Sequence, residues 1–408
     1  MAWKGFLTMN KNMTLSDYKK LFSDELLNSC VPFWLNNAKD EQFGGIINCL
    51  DREGKVYSDD KSVWMQGRCG WMFSYLYNNI EKNPEYLDMA KSAIDFAREK
   101  CTDEDGRMYF TVTREGLPLR KRRYFFSETF YVIACAEYYK ATGDNMYLSE
   151  ARKYFDFTLE MYKDPSADPY KITPKSYAST RNMKGLANSM IMLNVASVIR
   201  DADAENYDTY TEIMKNLIAD IKCFYKEEYH ATFESLTVDN EVVLNSAPCR
   251  VINPGPDIEC RWFLLEEGIK QGDSETVAFA EKMFIDAFNF GWDKEYGGIL
   301  YFKDILGKPV EAYEHDMKLW WPHNETVIAS LMFYLHTKKD IYLDIFKKVT
   351  EYAFEHFSDR EFGEWFGYLR RDGKPTEPPC KGHTYKGPFH VMRMLAKCIV
   401  MLENHKEQ

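Results

Sequence analysis

Tyr296-Gly297-Gly298-Ile299-Leu300-Tyr301-Phe302-Lys303-Asp304-Ile305-Leu306-Gly307-Lys308 is the stretch whose reading decides the fold. It reads as a small β-hairpin: paired glycines open it, an apolar and aromatic run follows, and Asp-x-x-Gly supplies a turn. The phrase recurs. Phe43-Gly44-Gly45-Ile46-Ile47 runs on to Asp51-Arg52-Glu53-Gly54-Lys55, and Gly106-Arg107-Met108-Tyr109-Phe110 to Arg114-Glu115-Gly116. Phe362-Gly363-Glu364-Trp365-Phe366-Gly367-Tyr368 runs on to Asp372-Gly373-Lys374, and a worn copy covers Tyr229 to Val243. The copies lie roughly 60 to 67 residues apart, with one gap of about twice that, which marks a repeat architecture. A degenerate copy between Asp164 and Ser179 would fill the gap.

Working outward, the intervening segments carry apolar residues at helical spacing: Asn83 to Lys100, Ser127 to Thr142, Tyr147 to Tyr162, Leu186 to Ile199 and Tyr207 to Phe224. The pattern continues in Arg261 to Gly268, Glu275 to Phe290, Asn324 to His336, Ile341 to Phe357 and Phe389 to Glu403. Each repeat therefore reads as two helices joined by short loops and followed by the hairpin. About twelve helices in a row cover their apolar faces only by stacking or by closing on themselves. The expected fold is all-α: a closed toroid of helical hairpins, an (α/α)6 barrel, with short β-hairpins at one end. An open solenoid is the alternative. Residues 1–408 read as a single domain with a short irregular N-terminal extension from Met1 to Met13.

Composition narrows the class. The longest apolar runs fall far short of a membrane span, and Met1 to Met13 lacks the hydrophobic core of a secretory leader. The ten cysteines are scattered with no Cys-x-x-Cys pair, the pattern of free thiols in a reducing cytoplasm rather than of a disulfide framework or zinc site. A net charge of −11 argues against nucleic acid or an anionic membrane as partner. Aromatic residues make up 15% of the chain; most of the Phe serve helix–helix packing, whereas Tyr and Trp at a barrel mouth suit the C–H face of a sugar.

Candidate functional residues occur in clusters. Trp64-Met65-Gln66-Gly67-Arg68-Cys69-Gly70-Trp71 sets Gln66 and Arg68 among large aromatics on an expected helix. The arginine is either a structural ion pair or a fork of donors for hydroxyls or an oxyanion. Arg123 and Glu128, after the basic run Leu119 to Arg123, are weaker candidates, and Asn188 is a possible donor among small and apolar neighbours. Asn253-Pro254-Gly255-Pro256 forces a turn, after which Glu259 and Trp262 fall on one helix face. Lys318-Leu319-Trp320-Trp321-Pro322-His323-Asn324-Glu325 gathers two Trp, a His and a Glu at a loop–helix junction. In Lys386-Gly387-Pro388-Phe389-His390-Val391-Met392-Arg393, His390 and Arg393 share a helix face, and a His held so opposite a Glu is a suitable acid/base. None of the eight histidines precedes His230, so imidazole chemistry resides in the C-terminal half.

These residues resemble the N-acylglucosamine 2-epimerase family, also called renin-binding protein in mammals, whose relatives include cellobiose 2-epimerases and sulfoquinovose or mannose aldose–ketose isomerases. The likeness runs from about Tyr18 to Leu402, and the family fold is an (α/α)6 barrel. Its Trp-x-Gln-x-Arg-x-x-Trp motif stands as Trp64, Gln66, Arg68 and Trp71, its Lys-Leu-Trp-Trp-x-His-x-Glu motif ends at Glu325, and its Lys-Gly-x-Phe-His-x-x-Arg motif ends at Arg393. The resemblance implies a sugar 2-epimerase or isomerase acting on an N-acylhexosamine (GlcNAc/ManNAc) or a related hexose by abstraction of the C2 proton. His390, Glu325, Arg68 and Arg393 are the implied catalytic residues. Trp64, Gln66, Trp71, Asn188, Glu259, Trp262, Trp320, Trp321 and His323 are the candidate substrate contacts.

It implies no metal and no redox cofactor, a small-molecule sugar as partner, and a homodimer as the common family assembly. Some members bind a nucleotide effector, but no Gly-rich phosphate loop is present. One position departs: the family's Asn-Pro-Gly-His-x-x-Glu-x-x-Trp has Pro256 where a second catalytic His is expected. Asp257, His383 or His323 then takes that role, or His390 works alone on one face, or the activity is lost or changed. The remaining readings are a non-catalytic sugar-binding homologue and a glycoside hydrolase on the same barrel, the latter built on Glu259 and Glu325.

Overall fold

The structure, a computed structural model, describes residues 13–121, 124–167 and 177–405. Arg123, most of the N-terminal extension and most of the degenerate copy expected between Asp164 and Ser179 lie outside the described residues. The longer helices are α1 (Leu15–Glu25), α2 (Val63–Asn79), α3 (Pro84–Lys100), α4 (Phe126–Thr142), α5 (Asn145–Lys163) and α6 (Leu186–Arg200). They continue as α7 (Tyr207–Lys222), α8 (Pro254–Gln271), α9 (Ser274–Gly291), α10 (Trp320–Thr337), α11 (Asp340–His356) and α12 (His390–Asn404). Short polar caps set several starts. Asn83, Asp144 and Asp273 accept backbone N–H groups of the first turns of α3, α5 and α9.

The periodicity of the sequence misses α1, although Thr14 and Asp17 cap it reciprocally. It also begins α8 seven residues late and α10 four residues late. α8 opens on Pro254 and α10 carries Pro322 as its third residue, positions the first turn tolerates because its N–H groups have no partner inside the helix.

Even- and odd-numbered helices differ in kind. In α4 every residue from Phe126 to Tyr138 is buried, whereas α3 buries only one stripe, from Tyr86 to Ala97. A helix buried all round is interior, and one with a single apolar stripe is peripheral. The packing agrees. α2 packs on α4, α4 on α6, α6 on α8, α8 on α10, α10 on α12, and α12 returns to α2. The odd helices pack outside them, α3 on α2, α5 on α4, α7 on α6, α9 on α8, α11 on α10 and α1 on α12.

Three of the recurring glycine turns carry the same buried device. Lys61 Nζ donates to Asp40 (2.8 Å) and to the carbonyl of Gly44 (2.6 Å), while Arg114 closes on Asp40 through two nitrogens. Lys318 repeats this with Asp293 (2.8 Å) and Gly297 (2.6 Å), with Arg371 as the fork. Lys381 repeats it with Gly363 (2.5 Å) and Asp359 (3.0 Å), and here the fork is Arg52. Burial works against the charge on Asp40 and Asp293, but the paired cations outweigh it and hold both carboxyls well below their ordinary range. Arg52 lies in the first repeat and Asp359 in the last, so the contact that joins neighbours also joins the two ends of the chain.

The stretch from Tyr296 to Lys308 is not the self-contained hairpin its sequence suggests. Gly297 and Gly298 turn the chain at φ +73° and +72°, so that Ile299 bridges back to Trp292. Leu300 then bridges Lys318, and Lys303–Asp304 pairs with Val251–Ile252. Strands of two residues make too few hydrogen bonds to stand alone, so these borrow an edge from another segment. Cys49–Leu50 and Val56–Ser58 do form a local hairpin across Asp51 to Gly54.

Candidate active site

The residues singled out in the sequence sit in the first two turns of the even helices: Arg68 on α2, Asn188 on α6, Glu259 on α8, Glu325 on α10, His390 and Arg393 on α12. Helical phase then sorts each motif. Residues three, four and seven apart share a face, and residues two apart do not.

On α12 and its neighbours the side chains are joined. His390 Nδ1 lies 2.8 Å from Glu325 Oε1 and donates to it, which leaves Nε2 as the basic nitrogen with no hydrogen-bond partner among the described residues. Glu325 is fully buried, and its Oε2 accepts from the indole N–H of Trp262 at 2.9 Å. Arg393 Nη2 donates to Glu325 Oε1 (2.7 Å) and Glu259 Oε1 (2.5 Å), and lies 3.3 Å from His390 Nδ1. Burial, followed by the charges of Arg393 and Arg68, pushes the pKa of His390 well below its ordinary value, so the ring is a neutral base at neutral pH. Burial opposes the charge on Arg393, but Glu325 and Glu259 outweigh it and raise its pKa.

On α2 the donors are left open. Arg68 lies against the rings of Phe130 (4.3 Å to the centroid) and Phe389 (5.0 Å). Its Nη1 donates to the Tyr385 carbonyl at 3.3 Å, while its Nε and the indole nitrogens of Trp64 and Trp71, on the same helix face, are buried without a hydrogen-bond partner. Burial pulls the pKa of Arg68 down to about 9, and no carboxylate closes on it among the described residues. Buried donors are nearly always matched in folded proteins, so three unmatched ones on one helix face point to a ligand.

Several expected contacts are corrected. Gln66, two residues from Arg68, points away: its amide accepts from and donates to the backbone of Ile46 (2.8 Å each), and it is fully buried. His323, two residues from Glu325, also faces away, with Nδ1 donating to the Leu319 carbonyl and Nε2 accepting from the Ile299 N–H. Burial pushes its pKa down to about 3, and it stacks on Tyr352, so it carries no proton for the site. Asp257 pairs with Arg261, and Glu128 accepts from Arg107 and the Met108 N–H. Trp262 donates its indole N–H to Glu325. Asn188 is half-buried, with no hydrogen bond to the cluster among the described residues.

Trp320 is buried with its edge toward His390 and His383, and Trp321 is partly open, its ring 5.8 Å from that of His390. A Cβ at Gly255 would come within 2.3 Å of the Trp321 ring, so glycine is what lets that ring lie on the start of α8. Pro256 occupies the same first turn.

The residues that motif reading left out are Phe130 and Tyr385; His383, one of the groups offered for the missing histidine's role, is partly buried beside them. His383 Nδ1 accepts from the Tyr385 N–H at 3.0 Å, so its proton resides on Nε2, and burial pulls its pKa down to about 4. As a cation site, Glu259, Glu325 and His390 offer ligand atoms within 4.8 Å of one another. The Arg393 guanidinium already bridges the two carboxylates and supplies the positive charge there.

A helical toroid thus brings together a buried imidazole, a carboxylate on its Nδ1 and open arginine donors, the groups that proton transfer to and from a polar small molecule would use. The description N-acylglucosamine 2-epimerase (GlcNAc 2-epimerase) matches residues 45–392. The N-acylglucosamine 2-epimerase of Bos taurus is 38% identical over 397 residues, covering 96% of this chain and 92% of its own. The chain belongs to the N-acylglucosamine 2-epimerase family. Its fold is also that of the cellobiose 2-epimerase from Bacillus thermoamylovorans B4167 (TM-score 0.81, 20% identity, 94% of this chain and 99% of that one). A D-mannose isomerase shares it as well (TM-score 0.80, 17% identity, 94% and 98%). No helix is long and apolar enough to cross a membrane among the described residues.

Proposed function

We propose that this chain is a carbohydrate epimerase or isomerase, a soluble (α/α)6 barrel that takes an open-chain N-acylhexosamine or related hexose and removes the proton at C2. His390 Nε2 is the base. Glu325 holds the ring in the tautomer that leaves Nε2 free and stabilises the imidazolium that forms. Arg68, with its unmatched N–H, and Arg393 stabilise the enolate oxygen that develops next to the carbonyl. Trp64, Trp71 and Trp321 supply faces and N–H groups for the sugar.

The observation that carries this reading is the wiring of His390: a neutral imidazole fixed by a buried carboxylate on one nitrogen and free on the other, beside an arginine on which no carboxylate closes among the described residues. Family membership supports the same chemistry. A glycoside hydrolase needs two carboxyls acting separately across a glycosidic bond, about 5 Å apart or more, with one free to protonate the leaving group. Glu259 and Glu325 instead clasp one guanidinium.

The test is exchange in D₂O with a panel of hexoses and N-acylhexosamines. Deuterium is expected at C2 of at least one sugar, and His390→Gln is expected to abolish it. No exchange with any of them would sink the proposal. A cytoplasmic homodimer, with neither nucleic acid nor membrane as partner, is the expected setting.

A further inference from the structure

Resting on the sugar chemistry above, we infer that the protein moves its proton along one face of the substrate only, and so interconverts a 2-hydroxyaldose with the corresponding ketose rather than two C2 epimers. Epimerisation needs a carrier on each face of C2. With each carrier within hydrogen-bond reach of the carbon, the two stand about 6 Å apart on opposite sides of the sugar.

Among the described residues, the histidines and carboxylates around the cluster supply one such carrier. His390 Nε2 is free. Glu259 and Glu325 lie on the other edge of the same ring, tied through Arg393 Nη2 to the side of Nδ1 (2.5, 2.7 and 3.3 Å), and cannot flank a carbon held at Nε2. His383 keeps its proton on Nε2 because Nδ1 accepts a backbone N–H, so it donates a hydrogen bond but takes no proton there. His323 has both nitrogens bonded to backbone on the far face of α10, and Asp257 is paired with Arg261. Position 256, in the first turn of α8 and one turn before Glu259, is a proline, which carries no titratable group.

The step balances with the substrate alone. The C2–H bond breaks, its proton goes to His390 Nε2, and the electron pair forms the cis-enediolate, whose charge rests against Arg68. The O2–H proton shifts to O1. His390 returns the proton to C1 on the same face, forming a C1–H bond, and the C2 carbonyl closes. No oxidant or reductant takes part. The route also selects the substrate class. An aldose with an acylamino group at C2 has nitrogen where the new carbonyl oxygen must arise, so it cannot give the ketose, whereas a hexose with a free 2-hydroxyl can. The chain then differs in outcome from the reaction that its bovine relative is named for.

The full chain is incubated in D₂O with D-mannose, D-glucose and N-acetylmannosamine, and the products are separated and examined by NMR. The expected result is ketose from a 2-hydroxyaldose, with less than one deuterium per turnover at C1 because part of the proton is returned internally. The C2 epimer is expected at least about 100-fold more slowly, since one of two carriers is missing. Conversion of N-acetylmannosamine to N-acetylglucosamine, or epimer formed as fast as ketose, overturns the one-face assignment. If that epimer formation is lost in His390→Gln, the broader sugar reading stands. No exchange with any of the three sugars, by a chain whose circular dichroism shows it folded, overturns both.

Discussion

The α12 side of the site and the α2 side both present arginine and tryptophan, and they treat them in opposite ways. On the α12 side the polar groups are joined to one another: Trp262 to Glu325, Glu325 to His390 and Arg393, Arg393 to Glu259, with Arg393 Nε and His390 Nε2 left over among the described residues. On the α2 side Arg68, Trp64 and Trp71 each keep a buried N–H with no partner among the described residues, and no carboxylate reaches them. The first arrangement holds a proton carrier in one orientation and one protonation state. The second leaves donors that the folded chain does not satisfy, at a cost in stability, for something that arrives later. Stability and function should therefore separate when the two sides are mutated.

The largest expected effect is on His390. His390→Gln should lower C2 exchange by about 10³-fold while leaving the melting temperature within a few degrees, because only the bond to Glu325 is altered. Residual exchange above about a tenth of wild type would mean that another base works. Next come the two arginines. Arg393→Met leaves Glu259 and Glu325 buried without their cation and should cost about 3–5 kcal/mol in urea unfolding. Arg68→Met removes an unpaired buried charge. It should change stability by about 1 kcal/mol or less in either direction, yet lower kcat by about 10²-fold. Equal losses of stability in the two variants would erase the contrast between the sides.

A third test uses pH. The folded pKa of His390 lies well below its ordinary 6.5, so the base form persists there and kcat/KM should stay flat from pH 8 to 6. An acid limb centred near 6.5 would contradict the burial of this ring. Stability follows the same sign. His323 and His383, at about 3 and about 4 when folded, take up protons near pH 6.5 only when unfolded. The unfolded state binds more protons as pH falls from 6.5 toward 4, so unfolding free energy should decline over that window while exchange activity at first does not.

The smallest effect lies at the seam between the ends of the chain. Arg52→Ala removes the fork on Asp359 but leaves Lys381, and Arg52 is 38% exposed. It should cost about 1 kcal/mol, seen as a small drop in melting temperature with unchanged turnover.

Much of the architecture was legible in the chain. The repeated glycine phrase, the helical spacing between its copies and the length of the period led to helix pairs in a ring, and these signals are local, since periodicity reports which face of a helix is covered. The key stretch was misread as a hairpin because two-residue strands are completed by residues from other repeats, which no local pattern reveals. The site was legible by residue type and only partly by role. Trp64, Arg68 and Trp71 were correctly grouped, as were His390 and Arg393. Gln66 and His323 were grouped with them by adjacency, although two residues of helix turn a side chain through roughly 200°.

What the sequence by itself determined is therefore the catalogue: most of the helices, and which histidine, glutamates and arginines fall near their starts, because these depend on short-range spacing. Only the tertiary structure decided which of those groups meet. That Glu325 faces His390 and not Arg68, and that Arg393 binds the two carboxylates while Arg68 goes without, depends on how helices far apart in the chain turn their faces toward one another. That orientation is set by the packing of the whole ring rather than by any one segment.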